Sequence, residues 1–226
     1  MDNIFNIPPL ENGDRLTRVE FERRYYAMAS IQKAELVEGT VYMAFPLHFR
    51  SHAKPHALII SWLGIYCAAT PEVDLGNNAT VRLDINNEYQ PDALLRLTAG
   101  GQSSISQDDY IEGAPELIVE VAASSAANDL HDKKEVYRRN GVQEYLVWQV
   151  YEQRLDWFRL QDGDYVTLKP DSNGMIRSQI FLGLILAVPA LLENNLTTVL
   201  AELQKNLHTQ HSAFVKQLLA SINKSA

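Results

Sequence analysis

Two acidic residues, Asp92 and Glu120, stand where a carboxylate is costly unless it does chemistry. Glu120 lies inside Glu116-Leu-Ile-Val-Glu-Val-Ala-Ala123, a run so apolar and β-branched that it reads as a buried central strand. A carboxylate there needs a partner, and the pattern predicts a metal ion. Twenty-eight residues earlier, Pro91-Asp92 opens the apolar run Ala93-Leu-Leu-Arg-Leu97, which reads as a neighbouring strand. Two carboxylates about 4 Å apart repel by roughly 4 kcal/mol at an effective dielectric of ~20. Either one keeps a proton or a divalent cation sits between them. On this reasoning, removing Asp92 should leave the metal-free protein no less stable.

Alternation along the strand sets Ile118, Glu120 and Ala122 on one face and Leu117, Val119 and Val121 on the other. The helix that follows offers a cation, because Asp129, Lys133 and Tyr137 recur at i, i+4 and i+8 and share a face. Lys133 could then point back over the carboxylates. A surface Asp129–Lys133 pair worth ~0.3–0.5 kcal/mol accounts for the same spacing. Other chemistries lack their residues: no Gly-x-Ser-x-Gly elbow, no zinc spacing, and no Lys-Ser/Thr after Gly100-Gly101 at phosphate-loop spacing. His48, His52 and His56 recur every four residues, a ligand face on a helix, but Pro46 and Pro55 interrupt that helix.

The elements that must position these groups alternate. Thr17 to Ser30 reads as a helix with Thr17 and Glu20 at capping-box spacing. Lys33 to Phe45, broken at Glu38-Gly39, reads as a strand pair, and a buried helix starts near Pro55 and runs to Ala69. Ala79 to Ile85 alternates as a half-buried strand, followed by the strands at 91–97 and 115–123. Ala99 to Asp109 is polar and reads as a loop, and Ala126 to Asn140 as a helix closed by Gly141. Glu144–Tyr151, Leu155–Leu160 and Tyr165–Leu168 form a meander, its last turn at Gln161-Asp-Gly-Asp164. From Leu191 the chain is helical, and Phe214, Leu218 and Leu219 could cap the core or meet a second copy. The expected architecture is one α/β domain over 1–192 and a helical C-terminal extension over 193–226.

With 20 basic and 28 acidic residues, the 226-residue chain carries a net charge of −8, which argues against nonspecific coating of nucleic acid. A local patch remains open, with Arg15, Arg18, Arg23, Arg24, Arg138 and Arg139 as candidates, against the plainer reading of solvated helix faces. The single Cys67 rules out an internal disulfide, and the apolar runs 57–69 and 181–192 are too short for a bilayer. No signal peptide is legible at Met1-Asp-Asn-Ile-Phe5, so a reducing cytoplasm and no membrane are expected.

Glu35-Leu-Val-Glu-Gly39, Pro91-Asp92, Pro115-Glu-Leu-Ile-Val-Glu-Val121, Asp129-x3-Lys133-x3-Tyr137 and Gly141-Val-x-Glu-Tyr145 resemble, in order and spacing, the Uma-two family of putative restriction endonucleases. That family belongs to the PD-(D/E)XK nuclease superfamily. The resemblance runs over roughly residues 17–192 and implies a restriction-endonuclease-like core, a mixed β-sheet flanked by helices. It implies Mg²⁺, with Mn²⁺ as substitute, held by Asp92, Glu120 and the Val121 carbonyl. Lys133 would replace the lysine that relatives carry at the position of Ala122, and Glu35 would reach the metal through water. The substrate would be DNA, approached over Lys134, Arg138 and Arg139, and cutting both strands would call for a homodimer. Where relatives carry Trp-x-x-Asp after the Glu-Tyr motif, this chain has Leu146-Val-Trp-Gln149. The expected activity is metal-dependent DNA hydrolysis. The alternative is a silent relative that binds nucleic acid or protein, favoured by Ala122, Gln149 and the net charge.

Overall fold

A computed structural model of the chain describes residues 7–28, 33–43, 47–123 and 129–225. Helix α1 (Arg18–Ala27) starts where the Thr17 hydroxyl accepts the Glu20 N–H at 3.4 Å. Glu20 turns its carboxylate to Arg23 and Arg24 instead of back to Thr17, so only half of the capping box forms. Strands β1 (Ala34–Val37) and β2 (Thr40–Met43) pair across Glu38-Gly39, at φ 51° and 73°, the mirror-image turn that matches strand twist. Helix α2 (Lys54–Ala69) holds Pro55 in its first turn, where a missing N–H is harmless. A wide turn, Phe49–Ala53, precedes it, and there the Ala53 N–H reaches back five residues to the His48 carbonyl at 3.1 Å.

After α2 come β3 (Val73–Asn77), β4 (Val81–Asp84), β5 (Asn87–Tyr89), β6 (Ala93–Leu97), β7 (Ser104–Ile105), β8 (Ile111–Glu112) and β9 (Leu117–Ala122). Asp129–Lys133 is a second wide turn that leads into α3 (Lys134–Arg139), closed by Gly141 at φ 83°. Residues 126–128 of the expected helix lie outside the described residues. The meander follows as β10 (Glu144–Gln149), β11 (Arg154–Gln161) and β12 (Asp164–Thr167), with Asp162 and Gly163 at positive φ in its tight turn. The chain ends with β13 (Met175–Arg177), β14 (Ile185–Ala187) and helices α4 (Val188–Leu192), α5 (Leu196–Asn206) and α6 (Thr209–Ser225).

The fold is mixed α/β, with two mixed sheets where one was expected. One sheet runs β12-β11-β10-β9-β6-β3, with β9 and β10 parallel and the other neighbours antiparallel. The other runs β2-β1-β5-β4-β8-β7. The second sheet was hidden because β5 has three residues and β7 and β8 have two each, too few for alternation to register. β7 also lies inside the segment expected to be a loop, and β3 carries Gly76 and Asn77, residues that read as a turn.

β9 divides the core as its alternation requires. Leu117, Val119 and Val121 pack with α2, β14 and the C-terminal helices, whereas Ile118 and Ala122 pack with Tyr137 of α3 and with Val37, Val81 and Tyr89 of the second sheet. Val199, Leu203, Phe214 and Leu218 of the last two helices sit in the first of these clusters, and Leu219 stays 42% exposed. The C-terminal helices therefore close the main core. Among the described residues, no helix is long and apolar enough to cross a membrane.

Candidate active site

The site lies between the sheets, at the end of β6. Ala93 pairs with Val119 in an antiparallel register that ends there, which leaves Asp92 just beyond the ladder and Glu120 one residue past Val119. Glu120 shares the face of Ile118 and Ala122, the α3 side, whereas the Asp92 carboxylate turns back to the Val121 backbone and to His52. Pro91 shapes this end because it has no N–H for the ladder. The ladder bond is replaced by the Asp92 side chain, whose Oδ2 accepts the Val121 N–H at 2.7 Å. The carbonyl of Val121 faces the same edge of β9 as its N–H.

Each carboxylate is buried with named donors, 4% exposed in both cases. Asp92 Oδ1 lies 3.1 Å from His52 Nε2, and the Asp92 backbone carbonyl takes His56 Nε2 at 2.7 Å. Burial pushes the Asp92 carboxyl up, but His52, Lys33 and the Val121 N–H outweigh it and hold it below its usual value. His52 thus donates through Nε2, and its Nδ1 is buried with no hydrogen-bond partner among the described residues. Glu120 Oε1 accepts both the Lys133 ammonium and the Tyr137 hydroxyl, each at 3.0 Å. The offered cation Lys133 does partner Glu120, and a phenol joins it.

Lys133 is the hinge of the cluster. Its Nζ is also 2.9 Å from Glu35 Oε2, so it bridges the two sheets with 5% exposure. Glu35 Oε1 accepts the Gln90 N–H at 2.9 Å, with Lys33 at 3.9 Å. Burial raises the Glu35 carboxyl, yet Lys133, Lys33 and that backbone N–H bring it below its usual value. Tyr137 is pushed well up, first by burial and then by the neighbouring carboxylates, so its hydroxyl stays protonated and donating. The described part of the predicted i, i+4 face, Lys133 and Tyr137, thus serves Glu120; the Asp129 side chain lies outside the described residues.

The three other predicted cations stand apart. Arg138 binds Glu135 at 2.6 Å and Asp164 at 3.4 Å, Arg139 binds Glu38 at 2.5 Å, and Lys134 lies 3.7 Å over the Phe158 ring. Glu144 is scaffold: fully buried, it accepts from Trp157 Nε1, Ser178 Oγ and the Gln179 N–H, while burial lifts its carboxyl to about 7. Sequence reasoning noted the spacing of His52 and His56 but weighed it only for metal binding, whereas both rings bond Asp92 through Nε2. It missed Asp156. The register Glu120–Val147–Asp156 sets that acid on the same face as Glu120, two strands away, where Gln149 Nε2 donates to it at 2.5 Å.

The chain matches the Uma2 family, described as putative restriction endonuclease, over residues 18–189. It belongs to the Uma2 family. No curated protein matches it. Among solved structures, a putative nuclease from Anabaena variabilis ATCC 29413, assigned to a domain of unknown function, is similar at 13% identity and a TM-score of 0.59, covering 76% of this chain and 96% of that one. That likeness establishes the shared fold. The Uma2 match spans both sheets and every residue of the Asp92–Glu120–Lys133–Glu35 cluster.

The donor set suits a small hard cation. Mg²⁺ takes one or two carboxylates and fills its other positions with water or phosphate oxygen. Asp92 and Glu120 offer that pair and Val121 a carbonyl, and each Asp92 oxygen keeps a lone pair beyond the bond it makes. Among the described residues, no group of three or more His, Cys, Asp or Glu side chains is gathered for a metal, so the pair would need solvent or substrate oxygens to complete a shell.

Proposed function

We propose that this Uma2 chain is an endonuclease that hydrolyses phosphodiester bonds of DNA with Mg²⁺, or Mn²⁺ in its place. What supports this reading is the burial of Asp92 and Glu120 at the junction of β6 and β9, where Asp92 accepts the Val121 N–H, with the Lys133 ammonium 3.0 Å from Glu120. Asp92, Glu120 and the Val121 carbonyl would hold the ion, which when bound supplies positive charge at the phosphate and a water of lowered pKa. Three carboxylates against one buried ammonium leave the cluster negative, which favours a divalent cation. Lys133 is positioned to orient the attacking water or a phosphate oxygen and to offset charge growing on the phosphorus. Glu35 and Tyr137 are positioning residues: one holds Lys133 from the opposite sheet, the other fixes the rotamer of Glu120. His52 does the same for Asp92.

Supercoiled plasmid incubated with Mg²⁺, Mn²⁺ or EDTA tests the reading. Wild-type protein should nick or cut with metal only, and Glu120→Gln, which keeps the size of the side chain, should lose cleavage while its melting curve stays cooperative. Cleavage by Glu120→Gln at the wild-type rate would refute it. A binding module without cleavage is the second reading, favoured by Ala122 and by the protein donors that already occupy both Asp92 oxygens; it expects DNA retention with no cutting in either metal.

A further inference from the structure

The wide turn Phe49–Ala53 has two faces. Ser51 and His52 are buried, and His52 bonds Asp92, whereas Phe49 is 71% exposed with Arg50 and Lys54 exposed beside it. Leu47, two residues before, is 62% exposed. Single exposed apolar residues are ordinary, but these sit on a turn with one extra residue, a distortion that concentrates at functional sites. The charge around them is equally uneven. In a chain with 28 acidic residues, positions 39–71 hold no Asp or Glu, while Arg50, Lys54 and three histidines fall there. A second exposed aromatic, Tyr42 at 37%, pairs directly with Glu35 at the edge of the other sheet.

We propose that Phe49 is a stacking platform for an unpaired base, and that Arg50 and Lys54 hold the flanking phosphates, so that this site takes single-stranded or locally melted DNA. An exposed ring beside cations in an acid-free stretch is what a nucleobase and its backbone require, because every base has a π-face and every phosphate a charge. Arg138 and Arg139 are already paired with carboxylates, which leaves Arg50 and Lys54 as the cations nearest in sequence to His52. The location, though not the binding itself, rests on the nuclease reading of the Asp92–Glu120 pair.

The test is fluorescence anisotropy in EDTA, where nothing is cut, with a labelled single-stranded 20-mer (a length chosen as roughly one or two stacking-site footprints) and its duplex. Phe49→Ala should weaken single-strand binding about 5- to 100-fold and move duplex binding by less than about 2-fold, and Phe49→Trp should restore it. Arg50→Ala should weaken both and reduce the salt slope by about one. Equal affinity of Phe49→Ala and wild type for the single strand overturns the proposal. So does wild-type protein that binds neither oligonucleotide, or a loss of self-association in Phe49→Ala by sedimentation velocity, which would make the patch a subunit contact. Cleavage separates the two readings: if Glu120→Gln abolishes cutting while Phe49→Ala binds normally, the platform falls and the nuclease stands. The reverse pattern spares the platform alone.

Discussion

Replacing Lys133 by methionine removes the ammonium and keeps most of the stem's volume. Nζ is 2.9 Å from Glu35 and 3.0 Å from Glu120, and the Lys133, Glu35 and Glu120 side chains are 6%, 11% and 5% exposed. At an effective dielectric of ~20, each attraction at that distance is worth about 5–6 kcal/mol before desolvation is subtracted. Removing one partner of a buried pair costs about 3–5 kcal/mol, because the orphaned charge stays desolvated. Two carboxylates lose their shared cation here, while Glu120 keeps the Tyr137 hydroxyl and Glu35 keeps the Gln90 N–H, so the loss should fall near ~5 kcal/mol. For a chain of this size that is a drop of roughly 10–20 °C in Tm. The assay is a thermal melt at neutral pH in EDTA, followed by far-UV circular dichroism. Adding Glu35→Gln should return about half of the loss, since one uncompensated charge disappears. A Tm within about 3 °C of wild type would refute the claim that this ammonium balances the two carboxylates.

Two further outcomes follow from the same geometry. Asp92→Ala should cost about 2–4 kcal/mol even without metal, because the Val121 N–H and His52 Nε2 lose their acceptor. That reverses the expectation from charge repulsion alone, and denaturant titration checks it; Asp92→Asn, which keeps an acceptor, should cost less. The Glu35 and Asp92 carboxyls lie below their usual values of 4.5 and 3.8 when folded, so their contribution is full above those values and is lost as pH falls through the lower folded ones. Stability should therefore decline below about pH 4.5, and Glu35→Gln should flatten that decline; a stability maximum below pH 4 would contradict it.

Much of the fold was legible because local rules and tertiary needs agree. Glu38-Gly39 and Asp162-Gly163 each end on a glycine, which takes positive φ without strain, so both hairpins could be read from four residues. β9 was legible from its β-branched run, and with it the face on which Glu120 stands. The short strands of the second sheet were not, since two or three residues become a strand only when a neighbour supplies the hydrogen bonds.

The sequence by itself determined that Glu120 is buried on one face of a central strand, that Asp92 opens a strand behind a proline, and that Lys133 and Tyr137 share a helix face. Periodicity and backbone stereochemistry are local, and they need no knowledge of the rest of the chain. Only the tertiary structure decided which charges meet: that Glu35 crosses from the other sheet to Lys133, that His52 turns inward to Asp92, and that Asp156 stands in the row of Glu120. Those pairings span 36 to 98 positions along the chain, as far as Glu35 to Lys133. Electrostatic partnership depends on distance in space and on desolvation, and neither is written into sequence spacing.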